Sequence, residues 1–469
     1  MNITLYNTES KNKELLVPLK KNVVTVYTCG PTVYDKAHIG NLRSYVFVDI
    51  LKRTLLFNEF TVKNTINLTD FGHLTDDGDH GEDKIMKGLR REGLEISLEA
   101  MRQLTDTYIE AFKEDIASLR ILPPTTWSRA SDFVNEQILL IKTLDEKGYL
   151  YETKDSVYFS IEKFPRYGRL GNIQLDTLKS GARLEADPDK KHPADFAVWK
   201  KSSLGWASPW SKGFPGWHIE CSAMAIATLG KQIDIHTGGI DHVHTHHNAE
   251  IAQSEAATGK TFANLWMHNE FVTVDGERIA KSSGTGITLR TLIEAGYSPD
   301  SYRYWLLTAH YRSHCSFSYE ALDNAQTALQ KLKRLVYVDL KDAFGPVDAG
   351  ILGEFRQAIN NDLDTPKALA ILWGLAKNSS IAPGTKLSTI AQMDKVLSIG
   401  LTESETEFKD TIGLVSTDNL PEHLKERLDD RILARENKDW ITSDAIRDEF
   451  LSEGYILKDT ADGIEIFKK

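Results

Sequence analysis

Cysteine is scarce in this chain: Cys29, Cys221 and Cys315 are the only three in 469 residues. An odd number at wide spacing excludes a disulfide framework and points to a reducing, cytoplasmic setting. Long apolar runs are missing as well. None approaches the roughly 18 residues that a membrane-spanning helix needs, so no membrane association is expected. The opening Met1-Asn2-Ile3-Thr4-Leu5-Tyr6-Asn7 has no basic stretch followed by an apolar one, and no secretory leader is expected there. Positive charge is in deficit, with 56 Lys+Arg against 67 Asp+Glu and a net charge of −11. That sum does not advertise a nucleic-acid binder, although local patches count for more than the total. Beyond residue 400 the deficit is steepest, with 10 basic against 18 acidic side chains. RNA docking there would require the fold to gather basic residues onto one face. Internal repeats and low-complexity tracts are also absent. What is present, 41% hydrophobic and 26% charged residues, describes a globular chain long enough for about three domains.

The segment Asn22-Val23-Val24-Thr25-Val26-Tyr27-Thr28 is short and β-branched and reads as a buried strand, broken by Cys29-Gly30-Pro31. Leu42, Tyr45, Val46 and Ile50 then recur at helical spacing, and residues 60–68 read as a second strand. Strand, helix, strand at this spacing is a βαβ unit and implies a parallel sheet. Ligands of such sheets bind at the carboxyl ends of the strands, where residues 29–41 fall. A second α/β portion has its clearest strand at residues 232–236. A stretch rich in Pro, Lys and Trp separates the two portions and reads as an insertion.

Residues 271–280 read as a tight hairpin around Asp275-Gly276. Beyond them the pattern turns helical. Ser298-Pro299 is a helix start, Leu322, Ala325, Leu329 and Leu332 form one apolar stripe, and Thr365-Pro366 starts another helix. Residues 428–469 read as one helix followed by a short β-rich end. The expected fold class is α/β: a split, Rossmann-like, parallel-sheet catalytic domain with an insertion, then a helical bundle and a small C-terminal domain.

Histidine placement carries the first chemical signal. Six of the 14 histidines fall between His218 and His247. His246 and Glu250 lie four apart, hence on one face of a helix. With Cys29 and Cys221 they make a Zn²⁺ ligand set of ordinary composition. Spacing leaves His246 and His247 as alternatives, and core cysteines with a polar histidine rim would explain each residue singly. The second signal is Ala37-His38-Ile39-Gly40-Asn41 at a strand-to-helix turn. Free N–H groups there suit a phosphate, and Gly40 permits close approach. The third is Arg278-Ile279-Ala280-Lys281-Ser282-Ser283-Gly284, in which Lys281 is suited to clamping a departing pyrophosphate. A solvated turn is the plain alternative.

Together these stretches resemble the cysteinyl-tRNA synthetases, a family of class I aminoacyl-tRNA synthetases. The resemblance is carried by residues 29–40 (Cys-Gly-Pro-Thr-Val-Tyr-Asp-Lys-Ala-His-Ile-Gly) and 215–224 (Pro-Gly-Trp-His-Ile-Glu-Cys-Ser-Ala-Met). Residues 234–241 (Asp-Ile-His-Thr-Gly-Gly-Ile-Asp), with their continuation to Glu255, and residues 435–449 near the C-terminus add to it. It runs in order over essentially the whole chain. It implies zinc ligands Cys29, Cys221, His246 and Glu250, with His246 chosen over His247 by resemblance alone. The HIGH signature maps onto His38-Ile39-Gly40-Asn41, with Asn41 in place of the second histidine. KMSKS maps onto residues 278–282, where Arg, Ile and Ala replace its first three residues and Lys281 and Ser282 remain.

The resemblance implies catalytic roles for His38, Asn41 and Lys281, and ATP contacts from His38, Gly40, Asn41, Lys281 and Ser282. Thr69, Trp217, His236 and Asp241 match positions around the amino-acid pocket, with His236 orienting the site rather than binding metal. Cys315 matches no ligand position. One Zn²⁺ per chain, ATP with Mg²⁺ as substrate, L-cysteine and tRNA(Cys) are the implied cofactor and partners, and the chain is expected to be a monomer. Zinc–thiolate chemistry would tell cysteine from serine without an editing domain. Lys331, Lys333 and Arg334 form a basic cluster available to tRNA, and Trp440 could stack on an unpaired base or sit in a core. His242 and His244 would be rim residues or ligands of a second ion.

The expected division is residues 1–118 and 213–268 for the two halves of the catalytic domain, with 119–212 as the connective insertion. Residues 269–318 would form the signature-loop and stem-contact region, 319–405 the helical bundle and 406–469 the anticodon-region domain. The rival reading in the same superfamily is a cysteine ligase with an amino-sugar acceptor, which would lack the matching tail. A non-catalytic RNA-binding module with structural zinc conflicts with the retained Lys281, Ser282 and His38 turn. A zinc hydrolase lacks a carboxylate at the spacing of a general base.

Overall fold

The computed structural model describes residues 2–71, 84–173, 189–274, 277–278, 286–340, 343–401, 415–460 and 463–468. The chain opens with a hairpin of β1 (Thr4–Asn7) and β2 (Asn12–Leu15), followed by β3 (Val23–Thr28), α1 (Ile39–Phe57) and β4 (Thr61–Leu68). After α2 (Lys84–Arg91) and α3 (Leu98–Ser118) comes β5 (Thr126–Arg129). β3, β4 and β5 pair in parallel, with Val23 opposite Thr61 and Thr65 opposite Thr126.

The chain then leaves this sheet. α4 (Val134–Glu146) leads into β6 (Leu150–Glu152), β7 (Ser156–Phe159), β8 (Phe196–Ala207) and β9 (Lys212–Pro215), an antiparallel sheet of four strands in sequence order. It returns through α5 (Trp217–Leu229) to β10 (Ile233–Gly239), α6 (His246–Thr258) and β11 (Ala263–Asn269). β10 lies parallel beside β3, with Ile235 opposite Val26, and completes a five-stranded parallel sheet in the order β11-β10-β3-β4-β5. Helices cover both faces, which is why β10 is buried along nearly its whole length rather than at alternate residues. Strands from before and after the excursion are therefore neighbours, and the sheet is a split Rossmann-like one.

β12 (Val272–Val274) and β13 (Glu277–Arg278) pair antiparallel, as the hairpin pattern implies. Residues 275–276 and 279–285, including Lys281 and Ser282, lie outside the described residues. α7 (Leu289–Glu294) and α8 (Pro299–Leu307) follow, the latter capped by the Ser298 hydroxyl with Pro299 in its first turn. β14 (Cys315–Phe317) joins β12, and Cys315 is a buried core residue there. α9 (Tyr319–Arg334), α10 (Ala349–Asn360), α11 (Thr365–Lys377) and α12 (Pro383–Leu397) build the helical part, with Leu322, Ala325, Leu329 and Leu332 all facing its core.

The C-terminal segment differs from the single helix expected from residue 428. α13 (Glu422–Glu436) starts earlier and ends at Glu436, just before Lys438, whose φ of 58° is left-handed. Asp439 then caps a second helix, α14 (Trp440–Ser452), and a hairpin of β15 (Tyr455–Thr460) and β16 (Gly463–Lys468) closes the chain. Among the described residues no helix is long and apolar enough to cross a membrane.

One buried cross-brace ties the halves together. Arg303 on α8 is fully buried; it donates to the carboxylate of Asp49 on α1, to Leu119 O after α3 and to Leu397 O at the end of α12. Asp49 also accepts from Arg53 and from the Leu122 N–H. A buried guanidinium is tolerated only with such complete pairing, and removing it takes one of the two cations from Asp49 and leaves the Leu119 and Leu397 carbonyls without this donor. Arg303→Ala is expected to cost about 3–5 kcal/mol of unfolding free energy, measured by denaturant titration.

Candidate metal centre and nucleotide turn

Four side chains converge at the carboxyl end of the parallel sheet. Cys29 follows directly on β3, Cys221 sits on the second turn of α5, and His246 and Glu250 lie one turn apart at the start of α6. Their ligand atoms all fall within 4.8 Å of one another, and all four residues are buried. Gly30 makes the Cys29 position attainable. Its N–H donates to Asn67 Oδ1 at 2.7 Å, and a Cβ there would stand 1.5 Å from Asn67 O on β4.

A second, overlapping set of four consists of Cys29, His236, His247 and Glu250. The two sets share a thiol and a carboxylate but differ in the local partners of their histidines. His246 Nε2 is 3.0 Å from Glu250 Oε1, and its Nδ1 faces His218 Nδ1 at 2.8 Å. His236 Nε2 is 2.9 Å from the other carboxylate oxygen, Oε2. His247 stands behind Cys29 with Nε2 3.3 Å from Sγ, and its Nδ1 meets His268 Nε2 at 2.8 Å. His268 in turn contacts the Thr8 hydroxyl at 2.7 Å.

The electrostatics call for a cation. Burial, reinforced by Cys221 and Glu250, pushes the Cys29 thiol well up. Burial also raises the Glu220 carboxyl. Desolvation opposes charge on His246, yet Glu250 and Cys221 bring it up to about 10. It opposes charge on Glu250 too, but His236 and His246 hold that carboxyl well below its usual range. A protonated imidazole thus does the neutralising that a dication would do better, since a metal also deprotonates the thiols. Among the described residues His236 Nδ1, His242 Nδ1 and Glu220 Oε1 are buried atoms without a hydrogen bond. Two sulfurs, one nitrogen and one carboxylate oxygen are an ordinary zinc donor set. Neither His242 nor His244 belongs to a four-donor group among the described residues, and His244 is exposed.

The other pocket positions surround this cluster. Thr69 follows β4, and its hydroxyl donates to Glu220 Oε2 at 3.0 Å. The half-buried Trp217 opens α5 with its ring centroid 4.5 Å from that of His246. Asp241 begins the short turn between β10 and α6.

The nucleotide turn is a capped helix start. His38 is the N-cap of α1, and its Nδ1 accepts the Asn41 N–H at 3.1 Å. Asn41 Oδ1 accepts the His38 N–H at 3.2 Å, which closes a capping box. The bond from the Asn41 N–H requires Nδ1 to be unprotonated, so Nε2 carries the proton of the neutral ring. The amide nitrogen of Asn41 is left as a second donor. Two described residues further along the chain meet this turn: Ile287 O accepts the Ile39 N–H at 2.8 Å, and Thr288 bridges His38.

One expectation for RNA contact is corrected, and for another residue one of two alternatives is removed. Lys333 is fully buried against Asp300 at 2.7 Å, and Arg334 pairs with Glu465, so of the proposed basic cluster only Lys331 is exposed. A run of cations in sequence does not reveal carboxylates that the fold brings beneath it. Trp440 is 55% exposed with Arg435 over its ring, which removes the core alternative. Sequence reasoning missed His268, Glu220 and Asn67 as parts of the site. The position of His268 near the carboxyl end of the strand beside His236's was the signal available for it.

The family described as "tRNA synthetases class I (C) catalytic domain" matches residues 15–327. The chain is 44% identical over 474 aligned positions to "Cysteine--tRNA ligase 1" of Burkholderia lata, covering 100% of this chain and 97% of that protein. It is 40% identical to "Cysteine--tRNA ligase" of Treponema denticola, with 98% of each covered. Among solved structures, methionyl-tRNA synthetase of Mycobacterium tuberculosis with methionyl-adenylate shares the fold, with a TM-score of 0.55 at 14% identity over 83% of this chain and 94% of that one.

Gly30→Ala tests how tightly the cluster depends on the close approach of β3 and β4. The strands must part where Cys29 is set, and the thermal midpoint is expected to fall by about 5 °C or more in a calorimetric scan.

Proposed function

The chain belongs to the cysteine–tRNA ligase family of class I aminoacyl-tRNA synthetases, and on that premise we propose how its own residues join cysteine to tRNA. The observation that carries the reading is the buried Cys29, Cys221, His246 and Glu250 cluster together with the capped His38–Asn41 turn, both following β3 in the chain. In the first step the cysteine carboxylate attacks the α-phosphate of ATP, and the bond to pyrophosphate breaks. In the second, the terminal ribose hydroxyl of tRNA(Cys) takes the cysteinyl group from the adenylate, releasing AMP. Mg²⁺ accompanies ATP as its counter-ion.

Cys29, Cys221, His246 and Glu250 would hold one Zn²⁺. When bound, that ion supplies the Lewis acidity that favours a thiolate over a serine hydroxyl, a distinction packing alone makes poorly. His236 fixes the far oxygen of Glu250 and so sets the carboxylate's orientation. His247 backs Cys29, and Trp217 walls the pocket against His246. At the nucleotide turn, the Nε2–H of His38 and the amide of Asn41 donate to phosphate oxygens as charge spreads over them. Gly40 keeps that approach open. Asn41 thereby does what a histidine does elsewhere in the family signature, while also closing the cap. Lys281 and Ser282, which match the second family signature and lie outside the described residues, are assigned to the leaving pyrophosphate. The chain works as a monomer in the cytoplasm.

Cysteine-dependent ATP–pyrophosphate exchange tests the reading. Exchange is expected with cysteine and not serine, and tRNA(Cys) charging should follow. Metal stripping or Cys221→Ser should lower exchange by about 100-fold or more. Exchange without charging would transfer the acceptor role to another molecule such as an amino-sugar, and no exchange by metal-replete protein would refute the reading. A milder variant, His236→Ala, removes only the support of Glu250. It is expected to weaken Zn²⁺ affinity by roughly 10–100-fold in chelator competition, with the fold intact by circular dichroism.

A further inference from the structure

An acidic chain that handles a polyanion must present cations whose charge is not already spent. The C-terminal helices spend much of theirs internally. Arg427 pairs with Glu449 and Asp430, Arg431 and Arg435 share Asp459, and Arg447 pairs with Asp444. A different arrangement exists where the N-terminal strand meets the helical part. A cleft of about 470 Å³ is lined by Arg356 and Gln357 of α10, Asn360, Asn361, Lys367 of α11 and Asn2. No acidic side chain lines it among the described residues. Arg356 and Lys367 form no ion pair among the described residues either.

The details fit a phosphate ligand. The guanidinium of Arg356 lies 4.9 Å over the Phe57 ring, which holds it in place, while its buried Nε has no hydrogen-bond partner. Lys367 is exposed, and Lys13 reaches the rim, with Nζ 3.0 Å from Asn361 Oδ1. The neighbouring carboxylates are engaged elsewhere. Asp362 takes Arg312, Tyr311 and the Tyr6 N–H, and Asp364 caps α11. Besides Thr4 and Gly353 the lining residues are cations and amides, with no aromatic ring among them to stack on a base, a composition suited to holding a nucleic-acid backbone without reading its sequence. β1 links the cleft to the catalytic pocket. Thr4 bridges Asn361 at one end, and Thr8 touches His268 at the other, about 13 Å along the strand.

We propose that the cleft formed by Arg356, Lys367 and their amide neighbours, with Lys13 at its rim, is a phosphodiester-binding subsite for the RNA substrate. The inference rests on the tRNA-charging reading above. Lys367→Ala and Arg356→Gln, singly and together, are tested by tRNA(Cys) charging kinetics, by fluorescence anisotropy with labelled tRNA(Cys), and by cysteine-dependent pyrophosphate exchange. The double variant is expected to raise the KM for tRNA and the anisotropy Kd by about tenfold. Exchange should stay within twofold of wild type. Each lost phosphate contact should also reduce the slope of log Kd against log salt by roughly 0.7–0.9. Lys367 is exposed, so its single variant keeps the test readable should Arg356→Gln disturb the packing on Phe57. Unchanged tRNA KM, Kd and salt slope in a wild-type background that charges tRNA would overturn the inference. So would loss of stabilisation by inorganic phosphate with tRNA binding intact, which would make the cleft a small-anion site. Failure of the wild type itself to exchange or charge would instead strike the functional reading.

Discussion

A carboxylate, two thiols and an imidazole buried within 4.8 Å of one another set a charge problem on which the catalytic half is built. Desolvation penalises each ionised form, and within the four the pairing of His246 with Glu250 and Cys221 offsets it. The surrounding residues manage it in layers. His236 and His246 hold Glu250 ionised, His247 and His268 form a neutral imidazole pair behind Cys29, and Thr8 ends that line. The sheet makes the convergence possible. Cys29 and the start of α6 meet only because β10 inserts beside β3, so a split sheet is required for this centre to exist.

Much of the framework was legible because burial dictates it directly. The β-branched run at 22–28 becomes β3, the apolar spacing after residue 42 becomes α1, and Ser298-Pro299 starts a helix. The histidine-rich stretch and its i, i+4 pair pointed to the right helix. Spacing did not join Cys29 to Cys221, since that depends on a register between strands far apart in sequence. Nor did it separate His246 from His247, and the structure shows why: each belongs to a four-donor group that contains Cys29 and Glu250. The capping box of His38 and Asn41 was invisible because histidine is not a usual cap, so Asn41 was legible only as a phosphate contact and not as half of a helix cap.

Charge was the least legible property. Lys331, Lys333 and Arg334 look alike in sequence, yet Lys333 is a buried counter-ion of Asp300, and Arg334 locks the end of α9 to the C-terminal hairpin. Arg356 and Lys367 raise no signal in sequence, because they are separated and followed by no motif. Only the fold shows which cations are spent on the protein's own carboxylates. A net charge of −11 therefore does not report which cations are left to face solvent.

Zinc K-edge X-ray absorption on the metal-loaded protein, with and without L-cysteine, tests the central claim most directly. The account predicts two sulfur neighbours at about 2.3 Å with nitrogen or oxygen completing the shell, rising to three sulfurs when L-cysteine is added and unchanged by serine. A shell with one sulfur, as the His236 and His247 set would give, or a sulfur count indifferent to cysteine, would contradict it.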